Sequence, residues 1–383
     1  MFLESGEREA AAVRGRPEKA LSVCFVAPHA WPALSRDPGI QELGGAEVQQ
    51  SILARLFAAH GYRVSMISID YGQPDRAVID GVTVHKTFRQ DAGLPVLRFA
   101  HPRLTAMWRA LREARADIYY CRTASMWVGV VAQFCRRHGA RALYAGASDR
   151  DFVPGQGGQM RFARDRWLFR RGIAAVDAIV AQNERQRRDC RETFGRDAVL
   201  IPSCYALPAD AAPGRGDEIL WVGTLHAGKR AELFLDLAER LPQRRFVMVG
   251  GPSISGRAPY DAARSRAARL PNVEFAGFLP LPEAERRFDR ARVLVNTSLY
   301  EGMPNTFLQA WARGVPTVAT VEVGARAHRA VSSVDELARE VEALFDDAAW
   351  RSRSRAVREH FERTHSCAHV LAEYRRLFEG LAA

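Results

Sequence analysis

The chain has 383 residues, 47% of them hydrophobic, and a formal net charge of +11. This length accommodates two domains, and this apolar content excludes a disordered chain. No apolar run reaches the ~18 residues of a transmembrane helix, and residues 1–20 are charged, without the apolar stretch of a signal peptide, so they read as a flexible tail.

Nearly all the positive charge is arginine; lysine stands only at Lys19, Lys86 and Lys229. No zinc-finger, RNA-recognition or basic-zipper pattern occurs. The charge is therefore read as suited to an anionic membrane surface or an anionic substrate, with no nucleic acid as partner. The cysteines, Cys24, Cys121, Cys135, Cys190, Cys204 and Cys367, form no Cys-x-x-Cys pair. They read as a reduced set, which points to a cytoplasmic protein. His365, Cys367 and His369 lie close in sequence but lack an acidic partner and fall in a helical pattern. No metal site is read there.

In chain order, 21–27 (LSVCFVA) is a near-continuous apolar run, as in a strand covered on both faces. A proline-containing loop fills 28–43 and leads to Gly44 and Gly45. From Ala46 the stripe Val48, Ile52, Leu53, Leu56 and Phe57 predicts a helix, closed by Gly61. A second strand follows at 62–69. Gly44 and Gly45 thus stand at the first strand-to-helix turn, where glycine either lets a ligand approach the backbone or simply makes the turn. Further strands are predicted at 82–85, 117–121, 141–145, 178–181 and 199–201, with helices at 103–115, 126–138, 162–174 and 184–194. Arg103, Arg109, Arg112 and Arg115 give the first of these helices a loose basic face suited to anionic lipid. The polar loop 148–158 offers Ser148, Asp149 and Arg150.

Residues 206–217 (ALPADAAPGRGD) are small, rich in Pro and Gly, and aperiodic, the marks of a linker. A second alternating region follows. Strands are predicted at 218–222, 246–249, 273–275, 292–295 and 316–319, and helices at 230–241, 334–345, 350–362 and 366–382. The domains are therefore 21–205 and 218–362, with a C-terminal segment, 363–383.

The most informative stretch is 292–320, RVLVNTSLYEGMPNTFLQAWARGVPTVAT. It reads strand, loop, helix, loop, strand, the unit of a parallel sheet. Pro304 suits a first helical turn. Gly302, Met303, Pro304, Asn305 and Thr306 bring the chain into the helix, and the amides of the first turn have no partner within it. Such a helix start at the end of a parallel strand is a natural phosphate site. Glu301 cannot bind phosphate, because like charges repel, but it can accept hydrogen bonds from sugar hydroxyls. Gln309, eight residues on, offers an amide. Upstream, ILWVGTLHAGK carries a strand into a turn at Gly223 and Thr224 and then to Lys229, whose compact charge can meet a phosphate oxygen.

EGMPNTFLQAWARGVPTVAT resembles the donor-binding signature of retaining glycosyltransferases of family 4, in which two glutamates stand eight positions apart. Glu301 matches the first; Gln309 replaces the second. ILWVGTLHAGK is similar to that family's Gly-Arg-Leu-x-x-x-Lys element: Lys229 matches the lysine and Thr224 replaces the arginine. LGGAEVQQSILARLFAAHGYRVSMIS resembles the family's beginning, whose glycine loop faces the cleft. A histidine usual near the end of strand 141–145 has no counterpart in GASDRDF.

The resemblance implies the GT-B fold, α/β, with two doubly wound, Rossmann-like parallel-sheet domains facing a cleft. The first domain is expected to hold the acceptor and the second the nucleotide sugar, with the last helix crossing back to the first. The implied reaction is hexose transfer from a UDP- or GDP-linked sugar to an acceptor hydroxyl with retention. Glu301 and Lys229 are the expected catalytic residues. No cofactor is implied and no metal is required, since Lys229 and helix amides meet the phosphate charge; Arg230 or Arg150 would supply the charge missing at Thr224. The expected partners are a nucleotide sugar, a glycan or lipid-linked acceptor and an anionic membrane contacted peripherally. Two other readings remain: a degenerate GT-B protein that binds a sugar nucleotide or pairs with a working transferase, and a GT-B nucleotide-sugar epimerase.

Overall fold

The computed structural model describes residues 20–37, 44–94, 98–153, 160, 162–208, 210–214, 216–253, 256–323 and 328–382. The predicted tail up to residue 19 lies outside these, as do parts of the loops predicted at 28–43 and 148–158.

The first eight strands are β1 (Ser22–Val26), β2 (Arg63–Asp70), β3 (Ala77–Ile79), β4 (Val82–Arg89), β5 (Ile118–Arg122), β6 (Arg141–Ala145), β7 (Ala178–Ala181) and β8 (Val199–Leu200). They form one sheet in the order β3-β4-β2-β1-β5-β6-β7-β8, parallel except for the β3–β4 pair. The next six are β9 (Glu218–Val222), β10 (Arg245–Val249), β11 (Val273–Gly277), β12 (Ala291–Asn296), β13 (Thr317–Ala319) and β14 (Arg329–Ala330). They form a second, all-parallel sheet ordered β11-β10-β9-β12-β13-β14. Both sheets carry helices on both faces, which is why their central strands are apolar throughout. All five residues of β1 and of β5 are buried. The expected pair of doubly wound α/β domains is thus present.

Several elements differ from the sequence reading. Part of the predicted loop at 28–43 is a short helix, Trp31–Ser35, with Pro32 in its first turn. Two helices without a prediction, Ala258–Ala267 and Leu281–Arg290, cover the second sheet. The predicted helix at 103–115 begins only at Thr105. Arg103 precedes it, half-buried, with its guanidinium over Phe88 and donating to the Gln90 carbonyl. Arg109 is 3.8 Å from Glu113. Of the basic face expected here, Arg103 is turned inward and Arg109 is paired, while Arg112 and Arg115 stay exposed.

The helix Cys367–Ala382 packs on the first sheet although it follows the second in sequence. Val370, Leu371, Tyr374 and Phe378 are buried there among Phe25, Phe57 and Tyr120. Tyr374 and Phe378 meet the Phe57 ring edge-on at 5.4 Å. Tyr205, buried in the core beside the second sheet, bridges to Ser366 just before this helix.

Candidate active site

The strand order of the second sheet reverses between β9 and β12, so their following loops diverge and leave a crevice. Lys229 lies on the loop after β9, and Glu301 on the loop after β12. Lys229 Nζ and Glu301 Oε1 are 2.5 Å apart. The same oxygen accepts from Ser298 Oγ at 2.7 Å and from Asn296 Nδ2 at 3.3 Å. Three donors thus converge on one carboxylate oxygen and fix the side chain's direction. With side chains 24% and 14% exposed, the pair is partly shielded from water, which strengthens its attraction.

The backbone beneath Lys229 is equally defined. Its carbonyl accepts from Thr297 Oγ1 at 2.7 Å, and that hydroxyl accepts from Trp221 Nε1 at 3.0 Å. His226 starts the short turn Ala227–Lys229, its Nδ1 accepting from the Gly228 amide at 3.2 Å. Burial, then the nearby Lys229 charge, hold His226 below its ordinary pKa. That favours the neutral ring an accepting Nδ1 requires. Gly223 leaves β9 beside Gly250, where a Cβ would stand 1.8 Å from the Gly223 carbonyl oxygen. Thr224 is exposed on the same turn.

Past Glu301 the chain enters the helix Asn305–Ala312. Pro304 is the residue that caps it, in extended conformation, one position before the expected place. Asn305 and Thr306 carry the first helical amides, which the helix cannot satisfy. Met303 packs on the apolar core below.

The predicted residues of the first domain meet this turn directly. Gly44 and Gly45 begin the helix Gly45–Ala59. The Gly45 carbonyl accepts from Asn305 Nδ2 at 3.0 Å. Gln49, one turn on, donates to Asn305 Oδ1 at 2.9 Å and to the Cys204 carbonyl at 2.8 Å. Gly302 is buried where a Cβ would lie 2.7 Å from the Ala147 carbonyl oxygen. Arg150 lies 5.2 Å over the Tyr300 ring. Ser148 and Asp149 hold their own loop: Ser148 Oγ accepts from the Arg150 amide, and Asp149 Oδ1 accepts from Gln186 and Asn183. Burial pushes the carboxyls of Asp149 and Asp151 above the usual range.

Two expectations need correction. Gln309 does not hold its amide nitrogen free for a ligand. It is buried, and its Nε2 donates to Glu285 Oε1 at 2.7 Å. Glu285 Oε2 accepts from Tyr205 at 2.7 Å and from Arg313 Nη2 at 2.8 Å, and Arg313 also bonds Asp289 at 2.7 Å. One helical turn separates Gln309 from Arg313, so both side chains turn to the same buried carboxylate. Nor are the Arg230 donors Nε and Nη2 free to reach a phosphate. In left-handed conformation (φ 46°), Arg230 donates to the Thr297 carbonyl at 2.8 Å and to Thr320 Oγ1 at 2.7 Å. Its donors staple the loop that carries Glu301.

Asn296, Ser298, Gln49, Glu285 and Tyr205 were not singled out from the sequence. Ser298, three residues before Glu301 in a polar loop, was the one with a readable signal.

Residues 44–203 match the family model described as "Glycosyl transferase 4-like domain", and residues 216–347 match "Glycosyl transferases group 1". With the two-sheet architecture and its crevice, these matches define both domains as glycosyltransferase domains of the GT-B fold. Among curated proteins, the D-inositol 3-phosphate glycosyltransferase of Mycobacteroides abscessus is 33% identical over 115 residues, 29% of this chain. That of Mycobacterium leprae strain Br4923 is 31% identical over 126 residues, 32% of this chain. The matched regions span 26% and 28% of those relatives, about a quarter of their length. Among solved structures, sucrose-phosphate synthase from Thermosynechococcus elongatus superimposes with a TM-score of 0.73 at 17% identity, covering 94% of this chain and 99% of the other. Anabaena HepE, solved with UDP and glucose, gives 0.70 at 15% identity, covering 95% and 100%. At such identities these structures speak for the fold.

Proposed function

We propose that this chain is a retaining family 4 glycosyltransferase that moves a hexose from a UDP- or GDP-linked sugar to an acceptor hydroxyl. The observation that carries this reading is the Lys229–Glu301 pair at the reversal point of the second sheet, beside an open helix start. A nucleoside diphosphate brought there meets Lys229 and the amides of Asn305 and Thr306 with its negative charge, so no resident metal is invoked. Glu301, fixed by Ser298 and Asn296, accepts from hydroxyls of the sugar. As the bond to the diphosphate breaks, charge grows on the leaving oxygen, and Lys229 stabilises it. Contacts such as Gly45–Asn305 hold the domains together around the crevice and restrict water.

The proposed acceptor is a glycan or lipid-linked sugar in cell-surface polysaccharide or glycolipid assembly, met at the cytoplasmic face of a membrane. The net charge of +11 supports this part. No helix among the described residues is long and apolar enough to cross a membrane.

A second reading, a degenerate transferase that binds a sugar nucleotide without catalysis, draws support from Thr224 and from the engaged Gln309 and Arg230. A panel of nucleotide sugars, scored for binding, slow hydrolysis and the anomeric configuration of the product, separates the two. Binding with hydrolysis and retained configuration supports the transferase. Binding without turnover on any donor supports the degenerate form, and no binding at all overturns both.

A further inference from the structure

Among the described residues, the largest exposed apolar side chains away from the crevice lie together at the start of one helix. Phe162 is 63% exposed and Trp167 56%. The helix, Ala163–Ala175 (ARDRWLFRRGIAA), carries Arg164, Arg166, Arg170 and Arg171 against the single acid Asp165.

Its inner face is fixed. Phe169, Gly172 and Ile173 are buried against the helix Trp127–His138, and the two backbones touch: a Cβ on Gly172 would lie 2.6 Å from the Gly129 amide nitrogen. The outer face cannot turn inward, so its aromatic rings stay in water. An isolated soluble domain gains nothing from that.

The cations are arranged around those rings. Arg171 lies 5.1 Å over Trp167, and Arg164 lies 5.7 Å over Phe162 and 3.5 Å over Phe99 of the neighbouring segment. Exposed Arg98 adds to this side. Burial, and then the charges of Arg98 and Arg164, hold Arg103 below its usual pKa, so these cations share one neighbourhood.

Rings that are apolar in body with guanidinium groups beside them match the boundary between acyl chains and anionic headgroups. Arginine meets a phosphate through two parallel hydrogen bonds. The patch is also well placed. The helix follows the loop after β6, the loop whose Ala147 and Arg150 touch the Glu301 turn.

We infer that the outer face of the helix Ala163–Ala175, centred on Phe162, Trp167, Arg170 and Arg171, is a docking surface for an anionic lipid bilayer. This rests on the reading of the acceptor as lipid-borne, and it moves the contact from the helix Thr105–Ala114, where Arg109 faces Glu113, to this one.

Co-sedimentation with phosphatidylcholine vesicles, with and without phosphatidylglycerol, tests it at low ionic strength. The parent protein binds the anionic vesicles selectively. Phe162→Ser with Trp167→Ser, and separately Arg170→Gln with Arg171→Gln, each lower that binding about tenfold or more. Arg109→Gln with Arg112→Gln leaves it near the parental level. Nucleotide-sugar binding, measured on the same variants, stays unchanged; its absence in the parent would count against the transferase reading and not against this one. Equal binding of the parent to neutral and anionic vesicles overturns the inference, and so does parental binding by the aromatic variant. Self-association of the parent that Trp167→Ser abolishes, without vesicle binding, assigns the face to a second copy and also overturns it.

Discussion

Lys229 and Glu301, 72 residues apart in sequence, occupy one another's charge at 2.5 Å. Each is therefore the other's competitor for the donor: a diphosphate must draw on Lys229, and sugar hydroxyls must draw on Glu301. Glu301→Gln removes the carboxylate but keeps the shape. Transfer falls about 100-fold, some 3 kcal/mol of transition-state stabilisation. Affinity for free nucleoside diphosphate stays equal or rises, because Lys229 is released. Near-normal turnover in this variant would remove Glu301 from the site.

Lys229→Ala acts in the opposite sense on binding. The charge-assisted contact to the diphosphate disappears, and Glu301 keeps its bonds to Ser298 and Asn296. Titration calorimetry with the free diphosphate reads this directly: affinity drops about tenfold or more, with turnover falling too. Unchanged affinity and rate would show that Lys229 is only a partner for Glu301.

Arg313 is 1% exposed in its side chain and bonds both Glu285 and Asp289. Arg313→Met leaves two buried or half-buried carboxylates without their cation. The expected loss is about 3–5 kcal/mol of stability, against about 1 kcal/mol for Tyr205→Phe, which removes one hydrogen bond to Glu285. Denaturant unfolding of the two variants checks the order. A smaller loss for Arg313→Met than for Tyr205→Phe would contradict the network as described.

Burial lowers the pKa of His365 from 6.5 to about 4, opposed by the bond of its Nδ1 to the Ser203 carbonyl and aided by His360 and His369. The folded chain thus prefers the neutral ring. The unfolded chain takes up the proton first, so this contribution is complete above pH 6.5 and is lost as pH falls towards about 4. The loss is about 3 kcal/mol. Unfolding curves near neutral pH and near pH 4 should differ less in His365→Asn than in the parent by that amount; the same acid sensitivity in both would refute the assignment.

The sequence made the scaffold legible because each element repeats its own period. The apolar runs of β1 and β9 and the stripe Val48–Ile52–Phe57 needed no distant partner to be read. Lys229 and Glu301 were legible because a strand-to-helix turn constrains its few polar residues. Gln309 was misread because its direction depends on Glu285, 24 residues upstream on a helix whose own pattern, LPEAERRFDR, is mostly charged. The inward bonds of Arg230 were not legible because its left-handed backbone turns the side chain back onto the Thr297 carbonyl. Contacts such as Gln49 with Asn305, 256 residues apart, have no local signature at all.

The helix Cys367–Ala382 gives the molecule an order of assembly. The strands of the first sheet are made before this helix, and the pocket for Val370, Leu371, Tyr374 and Phe378 stays unfilled until residues 367–382 have followed. Through that interval Phe57 and its neighbours present an apolar groove, the kind of surface that chaperones hold and that aggregates when left alone. A chain cut short between the two sheets therefore lacks part of the first sheet's core.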